Sequence, residues 1–429
     1  MRYLLTILLL TCGLLSFAQF SGGGVSATDT LAVNVIAEPS NLDAFGRLRT
    51  AGTGQRLDVE FIYDKQPEFF DEVTNNGTVT HNANGRDLTF TLSDANDGSY
   101  ASMYSHPVPY TPGNSQLIDV TGVLDLANLG TGTAEVFLRS SATGSVTEEI
   151  ITQSSWINNA TGVDWSKAHI FQIDFQSLKV GSIRYFLVQG GEPVKLAQID
   201  NDNEKTAGYW NLPSLPLYWR IYTKSSNTFM ELGYGDEANA VGFRYKVAAN
   251  ASATMKAICG TVKSEGGLSL KDIQGIPRSV DNGVTVVSVS TTLVPILSIR
   301  LKDTFNTFDN LGIALPKSFS ASTNEPIKLA VIHDGTLTGA SWSDVDSDDS
   351  FVEYDVSASA ISNGHVLGSE YVATTGGGNN RSGGSQGLLG KAVLWARKSG
   401  LTGILTIAAI RTGAVDASVL TSINWEEIR

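Results

Sequence analysis

Cysteine is nearly absent from this 429-residue chain, which holds only Cys12 and Cys259. A disulfide framework and a cysteine-built metal site are therefore excluded, and stability has to come from core burial and strand pairing. Charge is also scarce, at 17% of residues against about 25% in ordinary domains. What charge there is leans acidic, 43 Asp and Glu against 30 Lys and Arg, for a formal net charge of −13. Without a cluster of Lys and Arg the chain cannot neutralise a phosphate backbone, so nucleic acid is excluded as a partner. Histidine is limited to His81, His106, His169, His333 and His365, and no HxH or HExxH spacing occurs. A GxSxG elbow and a phosphate-binding glycine loop are missing too. The chain reads as a protein that is not an enzyme and carries no cofactor.

What is present is glycine, 43 residues or about a tenth of the chain, against a usual level of roughly 7%. Threonine, serine, valine and asparagine accompany it, a composition that suits short strands joined by turns. Alternation predicts strands over Leu57–Tyr63, Asp87–Leu92, Ser115–Leu124, Ala134–Arg139 and Ala168–Phe175. Further strands follow over Pro216–Tyr222, Gly242–Ala248 and Thr254–Val262. Ser182–Val188 and Pro193–Ile199 flank Gly190-Gly191, a hairpin signal because both turn positions need positive φ. After a break around Gly275-Ile276-Pro277, a second set covers Val284–Val289, Val294–Leu301, Ile327–His333, Val366–Val372, Gly390–Arg397 and Gly403–Ile410.

Strands at short intervals without helices between them predict an all-β chain of two β-sandwich domains in tandem, jelly-roll or lectin-like. The expected division is a leader over 1–18, an arm over 19–40, a first sandwich over 41–267, a linker over 268–283 and a second sandwich over 284–429. The leader has the pattern of a secretory signal peptide: a basic start, an apolar run from Leu4 to Leu15, and small residues at Ser16 and Ala18. Cleavage after Ala18 would export the chain. The other reading is a retained hydrophobic helix, although the run falls short of the about 20 residues that span a bilayer. In the arm, Leu31, Val33 and Val35 share one face of a strand beside a glycine-rich stretch. That strand either edges the first sandwich or is exchanged with a neighbouring subunit as an assembly element.

Few residues suggest chemistry. Asp344, Asp346, Asp348 and Asp349 alternate as a calcium loop would, but an EF-hand needs Gly and Glu where Asp349 and Asp355 stand. A solvated acidic turn is the reading beside weak calcium binding. A glycosidase needs two facing carboxylates; Glu60, Asp64, Glu68, Asp71 and Asp174 offer no evident pair. Tyr209, Trp210, Tyr218, Trp219 and Tyr222 crowd one span. Tyr209, Trp210 and Trp219 are candidate glycan contacts, or else core. Because Trp219 and Ile221 alternate with Arg220 and Tyr222, one of those sets faces inward.

The segment Ala44-Phe45-Gly46-Arg47-Leu48-Arg49 resembles the AFGRLR signature of a family of tailed-phage virion structural proteins. Five further blocks follow in order: Phe61–Pro67, Pro112–Gln116, Asp164–Lys167 with Ile173–Phe175 and Leu178–Arg184, Asn211–Leu217, and Cys259–Val262 with Ser264–Gly267. The resemblance covers residues 43–267. It implies a structural virion component, in capsid, tail or fibre, and brings no catalytic residues. In physical terms Phe45 and Leu48 would anchor a strand entry, and Arg47 and Arg49 would pair with carboxylates such as Asp64 or Asp71. The export-like leader departs from the family, whose members assemble in a host cytoplasm.

The expected function is a structural subunit of a virion appendage, coat or extracellular filament that acts by self-assembly. The alternative is a secreted carbohydrate-binding adhesin. Expected partners are copies of the same chain, other virion or surface proteins, and cell-surface glycans; the expected place is extracellular or in a virion.

Overall fold

The structure, a computed structural model, describes residues 54–93, 96–110, 114–130, 132–158, 162–176, 179–211, 214–248, 251–265, 275–283, 286–372, 380–383, 393–395 and 403–428. The leader, the arm with Leu31, Val33 and Val35, and the Phe45–Arg49 motif lie outside the described residues. Regular structure within them is strand, apart from a single 3-10 turn at Gln153–Ser155.

Fifteen strands build the first sandwich: β1 (Gly54–Glu60), β2 (Phe70–Asn75), β3 (Gly77–Asn82), β4 (Asp87–Leu92), β5 (Tyr100–Ser105), β6 (Ser115–Val123), β7 (Thr133–Ser140), β8 (Thr147–Thr152), β9 (His169–Gln176), β10 (Ile183–Gln189), β11 (Glu192–Ile199), β12 (Leu217–Lys224), β13 (Asn227–Gly235), β14 (Ala240–Val247) and β15 (Ala253–Ser264). One sheet runs β11-β10-β9-β6-β15-β4-β3, with β1 also paired to β15. The other runs β2-β5-β12-β13-β14-β7-β8. The Gly190-Gly191 hairpin forms as expected, with Gln189 opposite Glu192 and φ of 62° and 91° at the two glycines.

Between the sheets lies one apolar core, because each strand turns alternate residues inward. Met230, Leu232 and Tyr234 of β13 and Val241 and Phe243 of β14 are fully buried there against Phe171, Ile173 and Phe175 of β9. The Phe171 and Phe243 rings meet at 4.9 Å across the gap. Burying one phenylalanine in this way contributes roughly 2–3 kcal/mol. Trp219 reaches β15 only because position 260 is glycine. A Cβ there would stand 2.6 Å from Leu217 and 3.2 Å from the Trp219 ring.

A second pair of six-stranded sheets follows. One is Ile276–Asp281, Ala417–Ile428, Ile313–Thr323 and Asn380–Gly383 in order, with Val287–Val289 and Leu394–Trp395 attached. The other runs Ser343–Asp344, Val352–Asp355, Val294–Leu301, Ile404–Arg411, Ile327–His333 and His365–Val372. Leu297, Ile299, Leu329 and Ile407 fill the space against Val419, Ile423 and Trp425. The expected linker over 268–283 needs correction: Ile276–Asp281 is an edge strand of this second sandwich, paired to Ala417–Ile428. Pro277 fits because an edge strand has one unpaired side. Among the described residues the two halves share no sheet. They touch where the His106 and Trp395 rings meet at 5.5 Å and where His365 Nδ1 lies 3.2 Å from Glu68 Oε1.

Candidate functional site

The sheet β2-β5-β12-β13-β14-β7-β8 turns one face to the core and the other outward. Direct cross-strand register arranges the outward side chains in rows. Tyr100, Tyr222, Phe229 and Lys246 form the first row, on β5, β12, β13 and β14. The next is Ser102, Arg220, Glu231, Arg244 and Glu135, which continues onto β7. The third is Tyr104, Tyr218, Gly233, Gly242 and Phe137, which ends at Ile150 of β8. Opposite charges placed directly across from one another stabilise neighbouring strands, and the middle row alternates Arg, Glu, Arg, Glu.

An outward face would ordinarily be wet, yet Glu231 has no exposure and Arg244, Arg139 and Glu135 are buried. Such charges are tolerated only when paired and fully hydrogen-bonded. Arg139 donates from Nη1 and Nη2 to Glu231 at 3.1 and 2.9 Å and from Nε to Glu148 at 2.8 Å. Arg244 donates to Glu135 at 2.6 Å and to Glu148 at 3.0 Å. Tyr218 and Tyr222 hydroxyls donate to the two Glu231 oxygens at 2.8 and 3.1 Å. Burial alone would raise the Glu231 carboxyl, but the guanidinia of Arg139, Arg220 and Arg244 override it and hold the group at about 2. Burial likewise opposes, and Arg139 and Arg244 outweigh it, at Glu148, whose pKa is lowered. Burial raises the Tyr222 hydroxyl well above the ordinary phenol range.

A cleft of about 850 Å³ opens over this floor, inside the roughly 300–1,000 Å³ range of small-molecule sites. Tyr100, Tyr222 and Phe229 line it with Arg139, Arg220 and Arg244. Tyr222 and Phe229 stack at 4.8 Å. The Arg220 guanidinium lies 4.3 Å over the Tyr222 ring, and that of Arg244 lies 5.1 Å over Phe229. The rim carries the exposed Val146 and Ile150 of the β7–β8 hairpin and the polar segments around Asp97 and Ser225. Tyr222 and Phe229 are only 7% and 8% exposed, so what the cleft offers a ligand is chiefly its fixed donors and acceptors, with the half-buried Tyr100 beside them.

The residues expected to contact glycan are placed elsewhere, and the expectation is corrected. Tyr209, Trp210 and Trp219 are 3%, 1% and 0% exposed. Trp219 takes the inward position on β12, in contact with Phe61 at 5.6 Å. The Tyr209 hydroxyl donates to the Gln176 carbonyl, and Trp210 Nε1 donates to the Arg139 carbonyl, so both brace the core edge. Of the outward set of the same strand, Arg220 and Tyr222 line the cleft, while Tyr218 is 1% exposed and packs against Tyr104 and Phe137 beneath it. The calcium candidates do not converge. Asp346 Oδ1 accepts from the backbone N–H of Asp348 and Asp349, which lowers its pKa, and Asp344 pairs with Lys302 at 3.1 Å. Among the described residues no group of three or more His, Cys, Asp or Glu could hold a metal ion. Cys259 is half-buried on β15, with Sγ 3.4 Å from Thr121 Oγ1.

Glu231, Glu148 and Tyr100 were not among the expected site residues, because β13, β8 and β5 were not among the expected strands. A signal exists for β13: Phe229, Glu231 and Gly233 alternate with Met230, Leu232 and Tyr234. Its turn is disguised. Ser225 and Ser226 adopt φ of 52° and 58°, positions where Asn-Gly is the recognisable pair.

No protein-family model and no curated protein matches the chain. Solved structures do match over about half of it. An endo-1,3-beta-glucanase from Streptomyces sioyaensis is 9% identical, with 51% of this chain and 98% of that one covered, at a TM-score of 0.30. The Lotus tetragonolobus seed lectin is 12% identical over 50% and 100%, at 0.21. The Emp47p carbohydrate recognition domain is 12% identical over 50% and 98%, at 0.20.

Proposed function

We propose that the chain is a secreted carbohydrate-binding adhesin whose first sandwich holds an oligosaccharide in the cleft over β12, β13 and β14. The observation that carries this reading is the outward face itself. Tyr100, Tyr222 and Phe229 stand beside the Arg139 and Arg244 guanidinia, which are locked by carboxylates, and the Arg220 guanidinium, which lies over the Tyr222 ring. A rigid floor of this kind loses little side-chain entropy when a ligand arrives. The reading is of binding without cleavage. Glu231 and Glu148, the carboxylates bonded to the guanidinia of the floor, are both held as ions, and neither suits the protonated acid of a glycosidase. On a glycan array the full chain should bind, and Tyr100→Ala and Tyr222→Ala should each weaken the best ligand by about tenfold or more, as central aromatic contacts do. An array silent for the native chain would overturn the reading.

A second reading, a subunit of a virion appendage or extracellular filament, is supported by the six ordered sequence blocks. Where described, none of those blocks lines the cleft, and several of their residues are packing residues. Asp174 and Arg184 form a buried ion pair across β9 and β10, Ser115 donates to Glu265 at 2.6 Å, and Gly260 gives Trp219 its space. They specify a scaffold that either role can use. Export through the leader goes with the adhesin and the extracellular filament, not with a virion part assembled in a host cytoplasm. Electron microscopy of the purified protein, with the mass of its mature N-terminus, separates them. Regular particles lost on removal of residues 19–40 favour assembly, and a glycan-binding monomer favours adhesion.

A further inference from the structure

The polar groups of the cleft divide unevenly between engaged and unengaged. Its carboxylates already accept hydrogen bonds from the protein. Glu135, Glu148 and Glu231 take theirs from Arg139 and Arg244. Glu237 accepts from the Tyr104 hydroxyl at 2.5 Å, and Asp97 accepts from the Ser226 N–H at 3.0 Å. Three cations that line the same cleft, Arg220, Lys224 and Lys246, make no side-chain hydrogen bond or ion pair with another described residue. Arg220 Nε is buried without an acceptor, while its guanidinium is held flat on Tyr222. Glu231 and Glu237 act on this guanidinium through charge alone, and a cation fixed on a ring without a direct hydrogen-bonded carboxylate can take an incoming acceptor.

The spacing of these cations describes that acceptor. Arg220 and Lys224 lie four residues apart on β12, about 13 Å along the strand, and Lys246 is two strands away, about 10 Å. One carboxylate cannot meet all three, but a chain of anionic groups can. The net charge of −13 does not forbid this, because exposed charges beyond about 8 Å are screened at physiological ionic strength. We infer that the cleft selects an acidic oligosaccharide, with Arg220 clamping a uronic-acid carboxylate while Lys224 and Lys246 meet charges on neighbouring sugars. This inference rests on the reading of the cleft as a glycan site.

The test measures binding of the full chain to an oligogalacturonate of defined length and to the same oligomer fully methyl-esterified, by calorimetry at physiological salt. The acid should bind about tenfold or more tightly than the ester, the scale of a hydrogen bond to a charged group. Arg220→Gln should bring the ratio of the two affinities towards one. Arg220→Lys should restore part of it, since a point charge replaces the fork. Lys246→Gln supplies a second variant, and melting temperatures check that each variant folds. Lys328→Gln, on the second sandwich, should leave the ratio alone. Equal affinity for acid and ester overturns the inference while the glycan reading stands. Binding of neither, together with a silent array, overturns both. Polyglutamate bound as tightly as the uronate would show attraction to any polyanion and would also overturn it.

Discussion

Replacing Glu231 by alanine removes the centre of the charged floor, and its cost can be worked in two ways. The carboxylate accepts four hydrogen bonds, two from Arg139 and one each from Tyr218 and Tyr222. Its loss leaves the Arg139 guanidinium buried with only Glu148 as counterion, and a buried charge stripped of its partner costs about 3–5 kcal/mol. The titration route agrees. A carboxyl held at about 2 against an ordinary 4.5 stores about 3 kcal/mol of folding stability. In a unit of this size 1 kcal/mol moves the melting temperature by roughly 2–4 °C, so the variant should melt roughly 6–20 °C lower. Differential scanning calorimetry of the full chain at neutral pH measures this, in the transition that belongs to the first sandwich. The double variant Glu231→Leu with Arg139→Met should recover much of the loss, because it removes both charges. A loss under about 1 kcal/mol would refute the argument, and so would a double variant as unstable as Glu231→Ala. The pH dependence has a definite sign. Because the folded-state value is depressed, the contribution is present above about 4.5 and is lost as pH falls towards 2.

Gly260→Ala should destabilise by about 1–3 kcal/mol through overpacking against Leu217 and Trp219, read as a lower urea midpoint with an unchanged slope. Asp174→Ala should cost about 3–5 kcal/mol by removing one carboxylate of a buried ion pair with Arg184, visible in the same assay. His106, lodged between Phe69 and Trp395, is pushed down to about 4 by desolvation. Its neutral form is the one that fits, so stability should fall as pH drops from about 6.5 to 4. His106→Phe should flatten that part of a stability–pH curve; an unchanged slope would contradict the assignment. Added calcium should leave the melting temperature unchanged, since Asp344 and Asp346 are committed to Lys302 and to a backbone turn; a rise of several degrees would contradict that.

Local alternation was enough to mark strands where a core face and a polar face differ sharply. Asp87–Leu92, Val294–Leu301 and Ile327–His333 form over the residues expected of them. The Gly190-Gly191 turn was legible because only glycine takes that backbone without strain. The sequence by itself therefore determined an all-β chain with β-sandwich architecture, since period-two patterning and turn residues act over a few neighbours. The site was not legible in the same way. Glu231 meets Arg139 across 92 residues of chain, and nothing local to either one reports the other. Tyr222 and Trp219 belong to one aromatic run, and strand pairing alone decided that Trp219 enters the core while Tyr222 faces the cleft. Alternation says that two faces exist; only the tertiary structure decides which is covered, because burial depends on strands brought together from distant parts of the chain.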